Sequence, residues 1–117
     1  MTVLSTVVDG DQQTTTITAR IRSLDMQAGH VMLISDKNSP DTWKLEVWLT
    51  GENSIEPPSV FELPVEREAD HITCWNTSEY VMYEMGKSMV FGEPKRDREI
   101  YIDRTDFLAA IGLALRF

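Results

Sequence analysis

A chain of 117 residues, 42% hydrophobic and 26% charged, holds one packed core, has no room for two of ordinary size, and is not a disordered composition. One cysteine, Cys74, excludes an internal disulfide and fits a reducing compartment. A net charge of −8 argues against general binding to DNA, RNA or anionic lipid, where cations on the protein must neutralise phosphates.

Residues 2–8 read as a strand that joins a sheet or as a loose arm. Ile17, Ala19 and Ile21 then share one strand face, with Thr16, Thr18, Arg20 and Arg22 on the other. Residues 24–29 turn the chain, with Gly29 expected at positive φ, and the apolar run 30–34 returns as the second strand of a hairpin. Residues 36–41 are a dense turn signal. Trp43, Leu45, Val47 and Leu49 alternate with Lys44, Glu46, Trp48 and Thr50, the clearest half-buried strand in the chain. Residues 51–59, with Pro57 and Pro58, form a loop.

Phe61, Leu63 and Val65 alternate with Glu62 and Glu66; Pro64 lacks an N–H, so this segment is an edge strand or a poor one. Residues 66–70 are a charged turn and 72–75 a short strand. Strands at 80–85 and 88–91 flank Gly86-Lys87, a Gly-first pair suited to a type II′ hairpin. Residues 92–98 read as a charged loop and 99–103 as the last strand, with Ile100 and Ile102 on one face. A helix follows, capped by Thr105 or Asp103, with Asp106 in its first turn and Arg116 in its last.

That helix carries no polar side chain between Phe107 and Leu115. With about 100° per residue, Phe107, Leu108, Ile111 and Leu115 share one arc, which is expected to pack on the sheet. Leu113 and Phe117 fall near the opposite side. Either a long loop, 51–58 or 92–98, folds over them or they support self-association. The whole predicts an α+β fold: a mostly antiparallel, curved β-sheet or open barrel of short strands packed against one C-terminal helix, as a single domain over residues 1–117.

No signal peptide is apparent at the N-terminus and no apolar run approaches the roughly 20 residues of a membrane span; the expectation is a cytoplasmic protein without membrane contact. No Gly-rich loop opens a helix and no nucleophile elbow is present, so no catalytic residue or cofactor is indicated. His30, His71 and Cys74 are the whole supply of His and Cys, too few for a structural zinc site, and 71 and 74 point to opposite faces of a strand. Lys95, Arg96, Arg98 and Arg104 are interleaved with Glu93, Asp97 and Glu99 and read as a solvated, internally paired loop.

The charge imbalance is concentrated in residues 41–94, which hold eleven acids against three bases. Trp48 stands on the polar face of its strand, where an exposed indole is a common interface anchor; Trp75 and Tyr83 are similar but alternate less cleanly. The expected surface is Trp48 with Glu46, Glu62, Glu66, Glu68 and Asp70, facing a basic protein partner, with Leu113 and Phe117 available to a homodimer. The leading expectation is a small acidic non-enzymatic protein-binding module, an inhibitor or immunity-type protein that blocks a basic, nucleic-acid-processing target. In one version its carboxylates stand in a row where the target expects phosphates. The alternatives are a structural or assembly subunit that self-associates through the C-terminal helix, and a small-ligand-binding or enzymatic β-barrel with a pocket inside the sheet.

Overall fold

Period-two burial runs through the long strands of the computed structural model, which describes residues 3–50, 58–65 and 79–117. The elements are β1 (Val3–Asp9), β2 (Gln12–Arg22), β3 (Met26–Asp36), β4 (Ser39–Leu49), β5 (Ser59–Pro64), β6 (Val81–Met85), β7 (Ser88–Glu93), β8 (Arg98–Asp103) and α1 (Arg104–Arg116). In β2, Gln13, Thr15, Ile17, Ala19 and Ile21 are buried while the residues between them face outward. The same alternation buries Val31 and Leu33 in β3, Trp43, Leu45 and Val47 in β4, and Phe61 and Leu63 in β5. A pleat with one apolar side has to hide that side, and here it does so against one helix.

The strands form one antiparallel sheet in the order β5-β4-β3-β2-β8-β7-β6, curled into a half-barrel with α1 packed on its inner face. β1 joins β2 outside that path. One edge of β2 is shared: residues from Gln12 to Ile17 pair with β1, and Ala19 to Arg22 pair with β8. Of the two readings of the N-terminal segment, the strand is the one observed. Among the described residues β5 is an edge strand, one of the two readings that Pro64 allows, and Pro64 sits at its exposed end. The Gly86-Lys87 hairpin forms with Gly86 at φ +59 and no positive φ at Lys87, in keeping with a type II′ turn. Tyr80, just before β6, spans the mouth of the half-barrel. Its hydroxyl donates to the Glu62 carbonyl at 3.2 Å, and its ring lies 5.0 Å from Phe61 and 5.7 Å from Phe91.

Three expectations are corrected. Gly29 lies inside β3, between Ala19 and Leu49 in the ladder, and is not at positive φ; the turn is made by residues 23–25. Its need for glycine is steric. A Cβ there would stand 2.5 Å from the Trp48 carbonyl oxygen and 2.6 Å from Ile21 Cδ1. Gly29→Ala is therefore expected to lower stability by about 1–3 kcal/mol, the usual cost of overpacking. Urea denaturation measures this, and an unchanged midpoint would mean that β3 and β4 part without cost.

The second correction concerns α1. Asp103, one of the two expected caps, accepts the Asp106 N–H at 3.0 Å. The buried face, however, is Phe107, Ala110 and Ala114, with Ile111 and Leu115 at its margin and Leu108 40% exposed. Two alanines at the contact let the helix lie close to the sheet, which turns the bulkier Leu108 outward. The third concerns the charged loop before the last strand. β7 extends to Glu93 and β8 begins at Arg98, and both side chains are buried rather than solvated. The inner face is filled by Ile17, Ile21, Leu33, Leu45, Leu63 and Ile100, among others.

The charged turn expected at 66–70, the strand at 72–75 and most of the loop at 51–59 lie outside the described residues. Among the described residues no helix is long and apolar enough to cross a membrane.

Candidate protein-binding surface

The outer face of the sheet is not uniform. On the side of β6 to β8 it carries an internally paired polar cluster next to the exposed Val81 and Met85. The Tyr83 hydroxyl donates to Glu99 Oε2 at 2.7 Å, and the Arg22 guanidinium bonds the other carboxylate oxygen. Arg22, and then Tyr83, hold the Glu99 carboxyl below its ordinary range, while acting as donor to Glu99 pushes the Tyr83 phenol up. Val90, between Tyr83 and Tyr101 in the ladder, is fully buried among them.

On the side of β1 to β5 the outer face mixes apolar side chains with polar and charged ones. Register sets its rows: Val7 beside Thr14, Ile34, Lys44 and Glu62; then Thr16, Met32, Glu46 and Val60; then Thr18, His30 and Trp48. Val7 is 57% exposed, Val60 46% and Trp48 36%. The Trp48 indole lies parallel to the His30 ring, 4° between planes and 6.2 Å between centroids. Its N–H donates to Glu46 Oε1 at 3.4 Å. A cross-strand neighbour and a carboxylate two residues back thus restrict an aromatic side chain that remains over a third exposed.

The fold brings Trp48, Glu46 and Glu62 together on the outer face of two neighbouring strands. Glu66, Glu68 and Asp70 lie outside the described residues, as do His71, Cys74 and Trp75. The described acids of residues 41–94 do not form one row. Glu46 and Glu62 face outward, Glu84 pairs with Arg104 at 3.5 Å near the end of β6, and Glu93 is buried. His30, Met32, Ile34, Val60 and Val7 belong to the surface and were not singled out by sequence. The unbroken apolar run of residues 31–34 hides the fact that Met32 and Ile34 face outward.

Leu113 and Phe117 are both half-buried. Part of the cover on Phe117 comes from the turn between β3 and β4, where the Lys37 ammonium stands 4.7 Å from the ring centroid. Leu108 is the more exposed apolar side chain of the helix.

A concavity of about 580 Å³ opens at one end of the half-barrel, bounded by Ile21, Leu24, Leu49, Arg96 and Arg98. At its floor Arg98 Nε donates to Glu93 Oε1 at 2.8 Å, Arg98 Nη2 donates to Ser59 Oγ, and Ser59 Oγ lies 3.4 Å from Glu93 Oε2. Arg96 approaches the same carboxylate at 3.8 Å. Glu93 thus meets both guanidiniums, closely that of Arg98 and loosely that of the exposed Arg96. No group of three or more His, Cys, Asp or Glu that could hold a metal ion occurs among the described residues. Compared with protein-family models, with curated proteins and with solved structures, the chain finds no match.

Proposed function

We propose that this chain is a small acidic, non-enzymatic binding module that acts in the cytoplasm and blocks a basic protein partner by covering it with the outer face of β3 to β5. The observation that carries this reading is Trp48: an indole more than a third exposed, yet restrained by the His30 stack and the Glu46 hydrogen bond. An anchor restrained before binding loses little conformational freedom on contact, and tryptophan is the residue type most enriched at interface hot spots. Val60, Met32 and Ile34 extend the apolar centre, and Glu46 and Glu62 give the rim a negative sign suited to a basic partner. Occlusion by this face replaces phosphate mimicry in the proposal, because the described carboxylates are dispersed.

The test is affinity capture from the native cell by wild type and by Trp48→Ala, read by quantitative mass spectrometry, followed by titration of whatever basic protein is captured. Trp48→Ala is expected to raise Kd at least about thirtyfold, the effect of a hot-spot anchor of about 2 kcal/mol. Glu46→Gln and Glu62→Gln are expected to slow association and flatten its salt dependence. Equal binding by wild type and Trp48→Ala would remove the proposal.

A second reading, an assembly subunit that self-associates through α1, draws on the half-buried Leu113 and Phe117, with the exposed Leu108 on another side of the helix. Burying two or three such side chains contributes roughly 1.5–3 kcal/mol each, against an association cost of about 4–15 kcal/mol, so this face needs further area to hold a dimer.

A further inference from the structure

Sheet edges display unpaired N–H and C=O groups, and proteins normally blunt them with proline, charge, shortness or a covering element. Two edges of this sheet are blunted. β5 ends in Pro64, and the Tyr80 hydroxyl takes the Glu62 carbonyl. β6 is only five residues long, and its Glu84 is paired to Arg104. β1 is different. It is seven residues long, contains no proline and no basic residue, and carries its one charge at its end, Asp9. Among the described residues it pairs with β2 alone. Val7 and Val8, which point to opposite faces, are 57% and 58% exposed.

We propose that β1 pairs edge to edge, antiparallel, with β1 of a second copy of this chain, so that the two sheets continue through the junction. Charge selects this occupant. In a chain of net charge −8, most contacts between two copies bring carboxylates together, whereas the β1 edge is uncharged from Val3 to Val8. A two-fold pairing centred on Thr6 sets Ser5 opposite Val7 and Thr6 opposite its own mate, so the strand is compatible with itself. It also sends the two Asp9 side chains to opposite ends, about 20 Å apart at strand rise, well beyond the roughly 8 Å screening length of physiological salt. The edge is short, so the dimer is weak and concentration-dependent. Val7 lies on the same outer face as Trp48, so pairing joins the two outer faces into one surface. The proposal does not depend on what that surface binds.

Sedimentation of the full chain from about 1 to about 300 µM tests it, since dimer population rises with concentration by mass action. The expected result is a weight-average mass that climbs toward twice the monomer. Val7→Lys and Val8→Lys, both on exposed sites, are expected to stay monomeric with unchanged circular dichroism, while Leu113→Asp still dimerises. Amide exchange of residues 5–9 should slow several-fold in the wild type as concentration rises. A chain that stays monomeric throughout overturns the proposal. So does a dimer that survives both lysine variants, one that is lost in Leu113→Asp, or one that leaves the β1 amides unprotected.

Discussion

Glu93→Leu and Arg98→Met are each expected to destabilise the protein by about 3–5 kcal/mol, yet the double variant is expected to be more stable than either. The two side chains form an ion pair that is 5% and 7% exposed at the end of the half-barrel. Removing one partner leaves the other charge buried without its counter-ion, which is where the large cost arises. Removing both takes away the desolvation penalty with the attraction, and replacement by apolar side chains of similar volume is often neutral or stabilising. Ser59 tempers the recovery, because its hydroxyl contacts both members of the pair and would be left unmatched. Adding Ser59→Ala to the double variant should recover about 1–3 kcal/mol, the cost of an unsatisfied buried hydroxyl. Arg96, at 3.8 Å and 45% exposed, contributes little by comparison. Urea denaturation of the four variants gives the coupling directly. Single effects that add within about 0.5 kcal/mol in the double variant would mean that the pair is not buried as described.

Phe107→Ala is the second large expected loss, at about 3–5 kcal/mol. Phe107 is fully buried and meets Phe91 edge to face, 5.6 Å between centroids and 80° between planes. Its removal leaves a cavity between α1 and the sheet and forfeits an aromatic pair worth about 0.5–1.5 kcal/mol beyond its area. Set against a typical domain stability of 5–15 kcal/mol, the loss could leave a substantially unfolded population at 37 °C. Leu108→Ala is the matched control. Leu108 is 40% exposed, so its truncation should cost less than about 1 kcal/mol. Thermal melts of the two variants decide the orientation of the helix: equal losses would mean that α1 is rolled onto Leu108, as the apolar arc of the sequence had implied.

The misreading of that arc shows where sequence legibility ends. Alternation exposed β2, β4 and β5, because a half-buried strand repeats with period two and little else does. The edge position of β5 was legible through Pro64 and the β6–β7 hairpin through Gly86. The helix was visible, but weighting its positions by side-chain bulk favoured Leu108 over Ala110 and Ala114. Small residues form the contact because they allow close approach, a property of the packed pair and not of either sequence alone. Gly29 was misread for a related reason. Glycine answers equally to a left-handed turn and to a crowded strand, and only the positions of Ile21 and Trp48 distinguish them. In the candidate surface, Trp48, Glu46 and Glu62 were legible from alternation. The stack with His30 was not, since it depends on which strand lies beside β4 and in what register.

The shared edge of β2 has a consequence for the order in which the chain assembles. β1 to β5 are joined as a meander, each strand beside its sequence neighbour, and those pairings close over short distances. The seam to β8 is different: Arg22 and Glu99, which meet there, are 77 residues apart. Loop-closure entropy makes such a seam slow to form. On a ribosome it cannot form before β8 has emerged, and α1, the element that covers the inner face, follows β8 and is the last of the described elements to emerge. The first half of the sheet is therefore synthesised with its apolar side open to water. The nascent protein passes through a period in which it is prone to aggregation, and that period ends only when the last helix arrives.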